Sequence, residues 1–125
     1  MAMLKPPHVL VVEDDPQFRR LTVRMLKRAG YTVSEADGFE LALNLVSSDP
    51  SIEVVVTDIG MPAGTPHGMS IAKMIRSRRT QVKVVYMTGG DAEKMTQHAD
   101  GAAVLQKPFD SEALTTAVRN AIGSR

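Results

Sequence analysis

The chain has 125 residues, 43% of them hydrophobic, and no cysteine, a composition that fits one domain folding without disulfides or thiolate metal sites. Fifteen basic residues stand against fourteen acidic ones for a net charge of +1, so the basic excess of a dedicated nucleic-acid binder is missing. No apolar run approaches the roughly 18–20 residues that a membrane span requires, and the leader MAMLKPP is too short and too polar for a secretory signal. The expectation is a soluble, cytoplasmic domain over residues 8–125 behind a flexible leader of residues 1–7, with neither nucleic acid nor membrane as a direct partner. Three scattered histidines (His8, His67, His98) show no ligand spacing.

Two hydrophobic periods alternate along the chain. VLVV (9–12) is a continuous apolar run suited to a buried strand, and Phe18, Leu21, Met25, Leu26 and Ala29 then form one helical stripe from Pro16 to Ala29. Asp15 can cap that helix, Pro16 fits its first turn and Gly30 can end it. YTVSEA (31–36) reads as a second strand. A second helix runs from about Phe39 to Ser47 with Ala42, Leu45 and Val46 inward, and VVVTD is the third strand. Beyond a Gly- and Pro-rich loop (60–68), Ile71, Met74 and Ile75 mark a third helix. VKVVYMT (82–88) and AAVLQ (102–106) are the fourth and fifth strands, separated by the short, weakly patterned helix DAEKMTQHA. The last helix opens on Asp110 as cap and carries Leu114, Ala117, Val118, Ala121 and Ile122. Five strand–helix units predict an α/β domain, a doubly wound parallel sheet covered on both faces.

Ligands of such sheets bind beyond the carboxyl ends of the strands. The first strand ends in Glu13-Asp14-Asp15, the third in Asp58, the fourth in Thr88 and the fifth in Lys107-Pro108. An acidic cluster, a hydroxyl and an ammonium therefore converge. Carboxylates held together repel one another, and a hard divalent cation with oxygen ligands, magnesium by preference, removes the conflict. A nucleotide-binding sheet would carry a Gly-rich turn after its first strand. EDDP stands there instead and disfavours phosphate unless a metal intervenes.

These stretches resemble the receiver domains of two-component response regulators. The resemblance runs from about His8 to Ile122: VLVVEDDP is similar to the family's acidic-pair turn, VVVTDIGMP to its phosphoacceptor strand, MTGG to its hydroxyl strand end and KPF to its lysine loop. It implies a flavodoxin-like five-stranded sheet of order 2-1-3-4-5. Asp58 would accept a phosphoryl group from the phosphohistidine of a histidine kinase or histidine phosphotransfer protein. Glu13, Asp14, Asp58 and the backbone carbonyl of Gly60 would hold Mg2+, while Thr88 and Lys107 would contact the phosphoryl group. No enzymatic turnover is expected beyond magnesium-dependent self-phosphorylation and its reversal by hydrolysis.

Other residues have plainer readings. Asp15 is a helix cap rather than a ligand, and His67 is a polar loop histidine. Met61, Met69, Met74 and Met87 are core or loop fillers. The basic run Arg19, Arg20, Arg24, Lys27 and Arg28 is either a solvated face or, as the resemblance implies, a place where the phosphohistidine partner docks near the first helix. Two features depart from the family pattern. Val104 stands where an aromatic switch residue is usual, in a segment GAAVLQK one residue shorter than the commoner pattern, and DIGMPAGTPHG (58–68) is longer than the common form by about two residues. The expected function is a phosphorelay receiver, free-standing or from a hybrid histidine kinase. A non-switching protein-binding module on the same fold is the alternative. A hydrolase is disfavoured because Gly60 stands where a second carboxylate would be needed.

Overall fold

The computed structural model describes residues 5–59 and 68–123. Its elements are β1 (His8–Val12), α1 (Pro16–Arg28), β2 (Thr32–Ala36), α2 (Phe39–Ser48), β3 (Ile52–Asp58), α3 (Gly68–Arg78), β4 (Lys83–Thr88), α4 (Ala92–Thr96), β5 (Val104–Gln106) and α5 (Ser111–Ile122). The five strands form one sheet in the order β2-β1-β3-β4-β5, with every pairing parallel. The expected fold class and strand order are those observed.

The continuous apolar runs are central strands because both of their faces are covered. Val9, Val11, Val54, Val56, Val85 and Met87 pack against Val23 and Leu26 of α1 and Leu114, Ala117 and Val118 of α5. Leu10, Val12, Ile52 and Val55 face the other way, onto Ala42 and Val46 of α2 and Ile71 and Ile75 of α3. A smaller group on the β4 side joins Ile59, Ala72, Val84, Tyr86 and Ala99, with Val104 packed against it. His8 opens β1 in a buried position, yet both its ring nitrogens are within 2.7 Å of a serine hydroxyl, Ser51 on one side and Ser34 on the other. That polar staple ties the starts of three neighbouring strands at the edge opposite the strand carboxyl ends.

The cap residues behave as their chemistry predicts. Asp15 accepts from the Gln17 and Phe18 amides at 2.9 and 3.4 Å, and Asp110 accepts from the Ala113 amide at 2.8 Å. Gly30 follows α1 with φ of 99°, a conformation that favours glycine. Three expectations need correction. On α1 the buried residues are Thr22, Val23 and Leu26, while Leu21 is 46% exposed and Ala29 is exposed too. The polar Thr22 can face the core because its hydroxyl donates to the Phe18 carbonyl one turn back, at 2.9 Å. On α3, Met74 points outward at 43% exposure, and Ala72 fills the place beside Ile71 and Ile75. The fifth strand begins at Val104 rather than residue 102, because Asp100 and Gly101 adopt positive φ and Ala102 donates back to the Ala99 carbonyl in a turn.

No helix among the described residues is long and apolar enough to cross a membrane.

Candidate functional site

Parallel register brings β1, β3, β4 and β5 to a common carboxyl edge: Val12 pairs with Thr57, Asp58 with Met87 and Thr88 with Gln106. The residues immediately at or past these ends meet. Glu13, Asp58 and Thr88 are buried and Asp14 is exposed. Glu13, Asp14 and Asp58 each offer one oxygen, and these oxygens all lie within 4.8 Å of one another. An all-oxygen set of this kind fits a hard divalent cation that keeps part of its water shell. Gly60, whose carbonyl was expected in the same set, lies outside the described residues, as do His67 and most of the long 58–68 loop.

Lys107 crosses the pocket. Its Nζ lies 2.5 Å from Glu13 Oε1 and 3.0 Å from Asp58 Oδ2, so one ammonium sits between two buried carboxylates. The mutual repulsion anticipated for three carboxylates is therefore already relieved for two of them by a lysine 94 positions along the chain. Burial is the largest influence on Glu13 and pushes its pKa from 4.5 up to about 7, against the pull of Lys107 and of the Asp15 amide; the neighbouring Asp14 and Asp58 push it the same way as burial. For Lys107 burial works downward, but its bonds to Glu13 and Asp58 outweigh this and hold the ammonium above its ordinary pKa. The pocket keeps its lysine charged.

Thr88 is held by its neighbours. Its Oγ1 accepts from the Gly90 amide at 3.0 Å, and its carbonyl accepts from the Lys107 amide at 2.8 Å. Gln106 braces the same corner: its side-chain oxygen accepts from the Ala92 amide at 3.0 Å, and its amide nitrogen lies 3.5 Å from the Thr88 carbonyl. The Lys107–Pro108 peptide is cis.

Three residues near the site take contacts that were not expected from sequence. Arg19 leaves the basic run, donating to the Glu13 carbonyl at 2.8 Å and pairing with Glu35 at 3.0 Å, whereas Arg20, Arg24, Lys27 and Arg28 are exposed. Phe18 presents its ring 4.5 Å from the Lys107 ammonium and meets Phe109 edge to face. Tyr86 is buried beside Val104, its pairing partner in β5. Phe18 reads from sequence as a core position and Arg19 as part of a basic face, while Tyr86 carries no signal.

The sheet order and the pocket at its carboxyl edge place the molecule among the doubly wound α/β domains that act at a strand-end crevice. A model of the response regulator receiver domain matches residues 9–119, and the chain belongs to that family, the receivers of two-component signalling. It is 32% identical over 121 residues to the aerobic respiration control protein ArcA of Escherichia coli K12, covering 94% of this chain and 49% of ArcA. It thus spans about half the length of that relative. Against the response regulator receiver protein CpdR of Brucella abortus it is 32% identical over 104 residues, covering 81% of this chain and 84% of CpdR. The crystal structure of a response regulator receiver protein from Sinorhizobium medicae WSM419 aligns with a TM-score of 0.84 at 26% identity, over 96% of this chain and 97% of that one.

Proposed function

We propose that this receiver takes a phosphoryl group onto Asp58 from the phosphohistidine of a histidine kinase or histidine phosphotransfer protein, with Mg2+ as cofactor. The observation that carries the reading is Lys107 bridging Glu13 and Asp58 at the carboxyl edge, with Asp14 close by. Asp58 is the nucleophile: one of its carboxylate oxygens bonds to phosphorus while the phosphorus–nitrogen bond of the donor breaks and its electrons return to the imidazole. Lys107 can turn donors from the two carboxylates toward the incoming phosphoryl oxygens. The Thr88 oxygen accepts from the Gly90 amide through a lone pair, which leaves its hydroxyl proton to be donated to the phosphoryl group. Glu13, Asp14, Asp58 and the Gly60 carbonyl would hold the Mg2+, which when bound screens carboxylate from phosphoryl oxygens and stabilises the charge that develops there. The exposed cations of α1 suit a donor that docks beside the acidic pocket with an acidic face of its own.

Incubation with acetyl phosphate and magnesium, followed by intact mass, is expected to show one added phosphoryl group on the native chain and none on Asp58→Asn. Label on that variant, or label on the native chain in excess chelator, overturns the assignment.

The Asp14→Asn variant should bind Mg2+ more weakly while unfolding at a slightly higher urea concentration in chelator. It removes one like charge from beside Glu13 and Asp58, worth about 1 kcal/mol or less at an exposed position. A lower midpoint with unaltered magnesium affinity would place Asp14 outside the site.

A further inference from the structure

We propose that Phe18 is a positioning residue for Lys107, its ring face fixing the ammonium that serves Asp58. The inference rests on the phosphoacceptor reading of the pocket. A lysine stem has four flexible carbons and a compact, strongly hydrated head, so two carboxylates alone leave it free to lean into solvent. The structure closes that escape. Nζ contacts Glu13 Oε1 and Asp58 Oδ2, and the Phe18 ring centroid lies 4.5 Å away. An aromatic face carries partial negative charge and attracts a cation at this distance. It also keeps water from that side of the ammonium, which strengthens both ion pairs.

Phe18 is itself held in place. Its ring meets Phe109 edge to face, with centroids 5.4 Å apart and planes at 87°. Its amide is capped by Asp15, and its carbonyl is taken by the Thr22 hydroxyl. Phe109 stands two residues past Lys107, so the segment 107–109 grips the first turn of α1 at two points: ammonium on the ring face, aromatic edge against the ring. Neither contact involves the nucleophile. Removing the ring should loosen the lysine and leave Glu13, Asp14 and Asp58 where they are.

The first test is made on the metal-free protein. Protons near an aromatic face are shifted upfield by its ring current, so the Lys107 ε-methylene resonance of lysine-labelled native protein should lie upfield of the other lysines. Phe18→Leu should return it to the ordinary position, and Phe18→Tyr should keep it shifted. In the second test, labelling by acetyl phosphate with magnesium should slow between about twofold and about fivefold in Phe18→Leu, the scale of a partly exposed cation–π contact, and stay near the native rate in Phe18→Tyr. If Phe18→Leu does not fold, Phe18→Met carries the same comparison. An unshifted Lys107 methylene in the native protein, or equal slowing by the leucine and tyrosine variants, overturns the inference. Native labelling with an unaltered rate in Phe18→Leu overturns it alone, whereas absence of label on the native protein overturns the phosphoacceptor reading as well.

Discussion

Replacing Lys107 by alanine is expected to cost the metal-free domain about 2 kcal/mol of folding stability, and more as the pH rises. Removing one partner of a buried ion pair is costly because the other is left without compensation. Here two carboxylates lose their cation together, Glu13 at 1% exposure and Asp58 at 5%. The figure is set below the about 3–5 kcal/mol typical of fully buried pairs because the lysine side chain itself retains 20% exposure. The abandoned Glu13 carboxyl, already raised by burial, can limit the loss by keeping its proton, which is easier at low pH. Urea unfolding in chelator should therefore show a lower midpoint for Lys107→Ala, with the gap from the native protein widening from acid to neutral pH. Added magnesium should recover part of the loss, since a ligand that binds only the folded state stabilises it by mass action. Equal midpoints in chelator would mean that the lysine contributes nothing to holding the pocket together.

Between acid and neutral pH the metal-free native domain should itself lose stability as the pH rises. Burial raises the Glu13 carboxyl from 4.5 to about 7, so over that interval the folded state holds a proton that the unfolded chain has released. Stability from this group is full below its unfolded pKa and is lost as the pH climbs through the folded value. At about 1.4 kcal/mol for each pH unit, the loss is at most about 3 kcal/mol. Three other perturbed groups fall outside the window, among them Tyr86, whose phenol burial raises above its ordinary 10.0 so that its contribution is lost only at alkaline pH. The Asp49 carboxyl is lowered first by its Ser51 bonds, and its contribution is lost only as the pH falls below its ordinary 3.8. Lys107 is held above its ordinary 10.5, burial being outweighed by its carboxylate partners, so its contribution is lost only at strongly alkaline pH. Unfolding midpoints in chelator at about pH 5 and about pH 8 measure the slope, and Glu13→Gln should flatten it. With saturating magnesium the decline should also shrink, because the metal requires the deprotonated carboxylate. Stability rising across the window would show that Glu13 gives up its proton as readily folded as unfolded.

The fold was legible because strands and helices here obey different periods. VLVV and VVVT have no polar face, which only a strand covered on both sides tolerates, and Asp15 and Asp110 announce their helices through cap chemistry. Strand ends were legible for the same reason, so Glu13, Asp14, Asp58, Thr88 and Lys107 could be assigned to one edge. What the sequence did not carry was rotation and reach. Leu21 and Thr22 exchange places because a hydroxyl bonded to its own helix is nearly apolar to the core. Met74 gives way to Ala72, which packs with Val84 and Tyr86 of β4. The bridge from Lys107 to both Glu13 and Asp58, and the ring beneath it, depend on side-chain conformations that no spacing encodes. Tyr86 carries no signal of its own, because the space beside Val104 is filled from the neighbouring strand, a pairing that only the fold creates.

The amide of Lys107 donating to the Thr88 carbonyl makes the sheet a ruler for the pocket. The hydroxyl-bearing residue and the ammonium-bearing residue are gauged against each other across one rung of the ladder, with Thr88 level with Gln106. The residues from 89 to 103, which thread through α4, lie outside that rung. They leave the sheet at Gly89 and must only return in register at Val104. A segment of this kind can change in length or sequence without altering that rung, because loops absorb length changes that strands cannot. Divergence in the α4 region is thereby uncoupled from the spacing of the hydroxyl and the ammonium.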